Sequence, residues 1–228
     1  MRYAEHELQG VREDLVKMCT LAEEALERAI RGLLTRDVAL AEDVMRGDVG
    51  VNHAELAVDD RCLEMLARYQ PEAGDLRFLA MALKITNDLE RIGDQAVNIA
   101  ERAVELLKEP SLDPFPEIAE EVALAQAMLR DSVQAFVRGD PALARTVCER
   151  DDAVDGLDDR IVRGLLDMMR HNHRTISRGV QWVLVSRHLE RVADHATNVA
   201  EDVIYLIEGR QIKHHHDARE QIAPESAR

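Results

Sequence analysis

Aromatic residues are scarce in this chain: Phe, Trp and Tyr together make up 3% of 228 residues. Sheets draw heavily on aromatic and β-branched side chains, so the shortage speaks against a β architecture. Proline and glycine are also few, at 6 and 11, and helices between such sparse breaks must be long. The 3 cysteines, Cys19, Cys62 and Cys148, lie far apart without a CxxC pair. That odd, scattered set excludes a disulfide framework and a thiolate metal site, and fits reduced thiols in a cytoplasmic protein. No stretch approaches the roughly 20 consecutive apolar residues of a membrane span. Glu5 and Glu7 stand where a secretory leader needs an apolar run. Positive charge is in the minority, since 29 basic against 44 acidic residues leave a formal net charge of −15. Phosphate backbones would be repelled over most of such a surface, which argues against nucleic acid as a partner.

What fills the chain is Ala, Leu, Val, Glu and Arg, the composition of long packed helices. Leu8, Val11, Leu15, Met18, Ala22, Ala25, Ala29 and Leu33 step by three and four, the apolar stripe of a first helix. Asp37 is placed to N-cap a second helix running to about Tyr69. A turn at Gln70-Pro71-Glu72-Ala73-Gly74-Asp75 then leads into a third, from about Leu76 to Leu107. Pro110, Pro114 and Pro116 interrupt any helix and mark a boundary.

The second half repeats the first. Asp37, Val44, Asp48 and Val51 find counterparts 103 residues on, at Asp140, Val147, Asp151 and Val154. The offset falls to 100 after the turn near His171-Asn172-His173-Arg174, and eight of the thirteen residues from Leu89 to Glu101 recur from Leu189 to Glu201. The fold expected is therefore all-α: two similar antiparallel three-helix bundles from an internal duplication. The units are residues 1–110 and 111–210, followed by a polar tail over 211–228.

The third helix of each half carries the chemistry. Its apolar stripe is Ile85, Leu89, Ile92, Ala96, Ile99, Ala103 and Leu106, matched by Val185, Leu189, Val192, Ala196, Val199, Val203 and Leu206. At about 100° per residue, Glu90, Asp94, Asn98 and Glu101 fall on the opposite face, as do Glu190, Asp194, Asn198 and Glu201. Like charges at i,i+4 cost a helix a few tenths of a kcal/mol, yet both halves keep all four. Other polar positions drifted, as in Gln95/His195 and Arg102/Asp202. A merely solvated face gives no reason for such selective retention.

A second acidic stripe lies on the helix before each turn: Asp48, Asn52, Glu55 and Asp59, then Asp151, Asp155 and Asp158. In an antiparallel hairpin, residues at one height share an index sum. Asp48 is then level with Asn98 and Asn52 with Asp94, while Asp151 is level with Asp194 and Asp155 with Glu190. Helices eight to ten Å apart can converge such side chains on one ion. Clustered carboxylates repel without cations, and bound metal is the natural neutraliser. Oxygen-only ligands suit Mg, Mn, Fe or Ca.

Leu89-Glu90-Arg91-Ile92-Gly93-Asp94 with Asn98, repeated as Leu189-Glu190-Arg191-Val192-Ala193-Asp194 with Asn198, resembles the PhoU family. Gln70-Pro71 followed by Asp75-Leu76-Arg77 does so too, and the resemblance spans about residues 3 to 209. It implies an accessory regulator of the phosphate-specific ABC transporter and of the phosphate-sensing two-component system. It further implies two three-helix bundles, each able to carry an iron or zinc cluster on paired E(D)xxxD motifs. Glu90/Asp94 and Glu190/Asp194 match one motif of each pair, and Asp151/Asp155 matches the other in the second half. Asp48/Asn52 departs from it, so the first site is expected to be weaker or to hold fewer ions.

The implied protein is cytoplasmic, a homodimer and not an enzyme. Its implied partners are the transporter's ATPase subunit and the phosphate-sensing membrane histidine kinase, which it regulates negatively without entering the membrane. The competing reading is a carboxylate-bridged di-metal oxidase or storage protein, which needs Glu-x-x-His on two helices. This chain has no Glu-x-x-His. His214-His215-His216 reads as tail, His6 and His53 as surface, and Trp182 as core. His195 is a minor ligand candidate, because Gln95 replaces it in the other half, and Gly93 marks close helix packing.

Overall fold

The computed structural model describes residues 2–112 and 115–212. The His214–His216 run and most of the expected tail lie outside the described residues. Helix α1 spans Arg2–Thr35, α2 Val38–Gly47, α3 Val49–Tyr69 and α4 Ala73–Leu107. The second half gives α5 Pro116–Arg138, α6 Pro141–Cys148, α7 Asp151–His171 and, after a 3₁₀ turn at His173–Thr175, α8 Ile176–Glu208. Among the described residues there is no strand.

Each bundle differs from the sequence expectation in one respect: its middle helix is broken in two. The chain leaves α2 at Asp48 and re-enters α3 at Val49. In the second half Glu149 and Arg150 separate α6 from α7. Asp37 and Asp140 cap as expected, accepting from the backbone N–H of Leu40, and of Ala142 and Leu143. The first turn is shorter than the sequence suggested, three residues from Gln70 to Glu72, with Gln70 left-handed at φ 43°.

The duplication extends to the turn ending each first helix. Gly139 closes α5 at φ 61°, and its counterpart Arg36 holds the same left-handed geometry at φ 57°. That geometry costs a non-glycine residue about 1 kcal/mol. Arg36 offsets it by donating from Nη2 to the carbonyl of Glu109 at 2.8 Å.

Apolar stripes from α1, α3 and α4, and from α5, α7 and α8, bury Leu15, Leu89 and Ile92 in one bundle and Leu129, Leu189 and Val192 in the other. Trp182 packs against this core, partly buried, as its place in the stripe suggested. Gly93 packs where α3 meets α4, and a Cβ there would stand 3.1 Å from Val51 Cγ1. The bundles join through α4 and α8, which run antiparallel. Gln95 Oε1 accepts from His188 Nδ1 at 2.9 Å, Asp88 Oδ1 accepts from His195 Nδ1 at 2.9 Å, and Lys84 meets Asp202 at 3.2 Å. The first two contacts are images of one another, since positions 88 and 95 are the repeat partners of 188 and 195.

Candidate metal centres

Because α4 and α8 turn their apolar stripes inward, their acidic faces lie on the outer flank of each bundle, against α3 and α7. In the second bundle three carboxylates converge there. One oxygen each from Asp155, Glu190 and Asp194 lies within 4.8 Å of the others. Asp155 and Asp194 are exposed and Glu190 is half-buried. Burial chiefly, then Asp194 and Asp158, raises the Glu190 pKa, while Arg187 opposes the rise. Such a group is less repelled once a cation arrives.

Behind this triad sits a buried polar network. The Ser186 hydroxyl oxygen is 2.9 Å from both carboxyl oxygens of Glu121 and 2.9 Å from Asp158 Oδ1. Asp158 also receives Arg187 Nη1 at 2.7 Å, and the same nitrogen lies 4.0 Å from Glu190 Oε1. Glu121 is fully buried. Burial first and foremost pushes its pKa up to about 8, with Ser186 working the other way and Asp158 adding to the rise. One hydroxyl has one proton for three oxygens. A protonated Glu121 resolves the shortfall by donating to Ser186, which donates on to Asp158.

The first bundle is built from the same positions with different groups. Asn52 Nδ2 donates to Asp48 Oδ2 at 2.9 Å, which leaves Asn52 Oδ1 buried without a hydrogen-bond partner. Glu90 Oε2 is also buried without a hydrogen bond, its nearest cation being Arg91 Nε at 3.5 Å. Arg91 reaches Asp94 at 3.4 Å as well. Glu90 has a raised pKa, first through burial, then through Asp94, with Glu55 and Asp48 adding. Glu55 is raised by burial and then by Asp59.

The residues singled out in the sequence thus fall into three groups. Asp155, Glu190 and Asp194 are brought together. Asp48, Asn52, Glu90 and Asp94 share one half-buried patch without closing to that spacing. Asp151, Asn98 and Asn198 stand apart from the triad. Asp151 is 3% exposed, with the Thr197 hydroxyl donating to it at 3.0 Å. Asn198 donates to Asp88 of the other bundle at 3.1 Å, and Asn98 is half-buried on α4. His195 turns to Asp88 rather than to the acids. The three cysteines are buried with thiol pKa values pushed up to about 12, chiefly by burial. They are not nucleophiles at neutral pH.

Both patches fit a hard or borderline cation. The second presents a three-oxygen face, and the first presents two buried oxygens that lack hydrogen bonds. Asp155, Glu190 and Asp194 would hold an ion in the second bundle, and Asp48, Asn52, Glu90 and Asp94 in the first. Sequence reasoning missed Glu121 and Arg187. The signal for Glu121 was there, because it occupies the place of core residue Met18 in the repeat. Arg187, opposite Asn87, gave none.

The architecture defines an all-helical protein among the described residues, a duplicated three-helix bundle with an acidic face on each half. Comparison with known proteins narrows this. The PhoU domain model matches residues 15–103 and again 118–203. The chain belongs to the PhoU family. It is 44% identical over 210 residues to a phosphate-specific transport system accessory protein PhoU homolog of Aquifex aeolicus, covering 92% of this chain and 95% of that one. A homolog of the same description from Pseudomonas aeruginosa is 38% identical, over 91% and 86% of the two chains. The crystal structure of PhoU from Pseudomonas aeruginosa superposes with a TM-score of 0.88 at 37% identity, covering 90% of this chain and 99% of that one. The phosphate transport system regulatory protein PhoU from Streptococcus pneumoniae gives 0.85 at 25% identity, covering 92% and 99%. Among the described residues no helix is long and apolar enough to cross a membrane.

Proposed function

We propose that this chain is a metal-carrying, non-enzymatic regulator of phosphate uptake that works by docking rather than by turnover. Membership of a family whose relatives are named as accessory proteins of phosphate-specific transport supports the regulatory part. The metal part is carried by one observation, the convergence of Asp155, Glu190 and Asp194 oxygens within 4.8 Å. An iron, zinc, manganese or magnesium ion supplies positive charge there, and the three carboxylates bind and orient it. Neutralising them removes repulsion between α7 and α8 and so stiffens the pair. The partners are the ATPase subunit of the phosphate ABC transporter and the phosphate-sensing histidine kinase, which is held in its non-activating state when phosphate is plentiful.

Deletion of the gene in a strain carrying a phosphate-responsive reporter tests the regulatory reading. Reporter expression in high phosphate is expected, and silence overturns repression. Replacing Glu190 and Asp194 by Ala, with bound metal measured by elemental analysis, tests the site. Loss of bound metal is expected; unchanged metal content removes these residues from the centre.

A further inference from the structure

We propose that the seam between α1 and α5 is a docking groove for a basic amphipathic helix of another protein. The proposal rests on the docking reading above and deepens it by naming the face. Helices α1 and α5 run antiparallel, and three hollows follow one another along the line where they meet. The first, of about 340 Å³, is walled by Val16 on α1 and by Phe136 and Val137 on α5. The second, of about 480 Å³, lies between Glu23, Leu26 and Glu27 on one side and Gln126, Leu129 and Arg130 on the other. The third, of about 310 Å³, has Leu33 and Leu34 against Ile118, Ala119 and Trp182. The duplication builds this line. Glu23 and Gln126, Leu26 and Leu129, and Glu27 and Arg130 are repeat partners, so the axis relating the halves passes through the middle hollow. The end hollows are images of one another, with Val16, Leu33 and Leu34 matched by Ala119, Phe136 and Val137. Leu33 and Phe136 are buried, whereas Leu34 and Val137 are each 54% exposed. Two open apolar side chains, each beside its own hollow, make two anchoring points.

Length selects a helix as the occupant. Val16 and Leu34 stand 18 positions apart on one unbroken helix, which is five turns or about 27 Å. A straight groove between two helices takes a third, and side chains five turns apart on it share a face. The middle hollow selects the charge. Glu24 joins Glu23 and Glu27 there, and among the described residues these three glutamates make no salt bridge. Glu23 is half-buried, and burial raises its carboxyl, with Arg130 working the other way. An entering lysine or arginine relieves that carboxylate. This chain is itself a poor occupant. A second copy brings a net charge of −15 against −15. Residues 213–228 hold three basic and three acidic residues, with Ile222 as their one large apolar side chain.

The test titrates the full chain into a fluorescent alanine-based peptide with two leucines five turns apart and lysines between them on the same face, read by anisotropy. Saturable binding is expected. Leu34→Asp and Val137→Asp, at exposed positions outside the core, are each expected to weaken it about tenfold. Glu23→Gln/Glu27→Gln is expected to weaken it about fivefold at low salt and less at high salt. Glu42→Gln/Glu64→Gln, which removes the same charge from exposed positions on α2 and α3, is expected to bind like the parent. The groove is overturned by absence of saturable binding, by parent-like binding in Leu34→Asp and Val137→Asp, or by equal weakening in the two glutamate pairs. Sedimentation that shows a dimer lost in Leu34→Asp/Val137→Asp overturns it too, by giving the groove to a second copy. The phosphate-responsive reporter separates this proposal from the regulatory reading. If gene deletion raises expression in high phosphate but the Leu34→Asp/Val137→Asp chain still represses, the groove falls and the regulatory reading stands. If the deletion leaves the reporter silent, the regulatory reading falls, and the peptide titration decides the groove.

Discussion

Glu121 offers the most direct test of the buried network, because its counterpart in the first half is an ordinary core methionine. A carboxyl with no exposed surface, raised from 4.5 to about 8 chiefly by burial, holds its proton in the folded state where the unfolded chain has lost it. Between those two values the native state carries one proton more than the unfolded state. The contribution of Glu121 to stability is therefore fully present below about pH 4.5 and is lost as pH rises toward 8. Each pH unit in that window costs about 1.4 kcal/mol, and the whole interval is comparable to the ~5 kcal/mol at the low end of domain stabilities. Glu121→Gln keeps the shape and a donor for Ser186 but does not titrate. Urea midpoints at pH 5.5, 7.0 and 8.5, in chelator, are the measurement. The unsubstituted protein is expected to lose stability across that series more steeply than the variant, and the variant to be the more stable at pH 8.5. Parallel profiles would show that Glu121 carries no buried proton, and the Glu121–Ser186–Asp158 chain would need another account.

Three other expectations follow from named contacts. Asn52→Asp completes the carboxylate pair with Asp48 and should raise Mn²⁺ affinity in the first bundle while lowering stability in chelator; dialysis and thermal melts read the two effects. Ser186→Ala strips Glu121 and Asp158 of their shared hydroxyl and should cost about 2–3 kcal/mol by urea unfolding, whereas a loss under 0.5 would mean the hydroxyl is not holding them. Gly93→Ala should change stability by less than about 1 kcal/mol. The gain in helix propensity is set against a contact with Val51 at 3.1 Å, and the second half accommodates Ala193 at the same place. A loss above 2 kcal/mol would show that the two halves do not pack alike there.

Periodicity and the repeat made the helices and their pairing readable, since burial of an apolar stripe is a property of spacing alone. Level-matching across the turns brought Asp155 to Glu190, whereas Asp48, expected level with Asn98, lies in electrostatic range of Glu90. It did not specify which way side chains point. Asp151, level with Asp194, is instead taken up by Thr197 one turn along. The break in each middle helix was not legible either, because Asp48 and Arg150 keep helical backbone angles, and no proline marks the spot. His195 and Asn198 could not be assigned from one helix, as their shared partner Asp88 belongs to the other half.

Asp48 ends one rod and begins the next, with φ −54° and ψ −34°. Helices α2 and α3 each lean on α1 and α4 and hardly touch one another. The aspartate is thus an elbow as well as a candidate ligand. A group held on its oxygens would therefore sit at the junction of a 10-residue and a 21-residue rod.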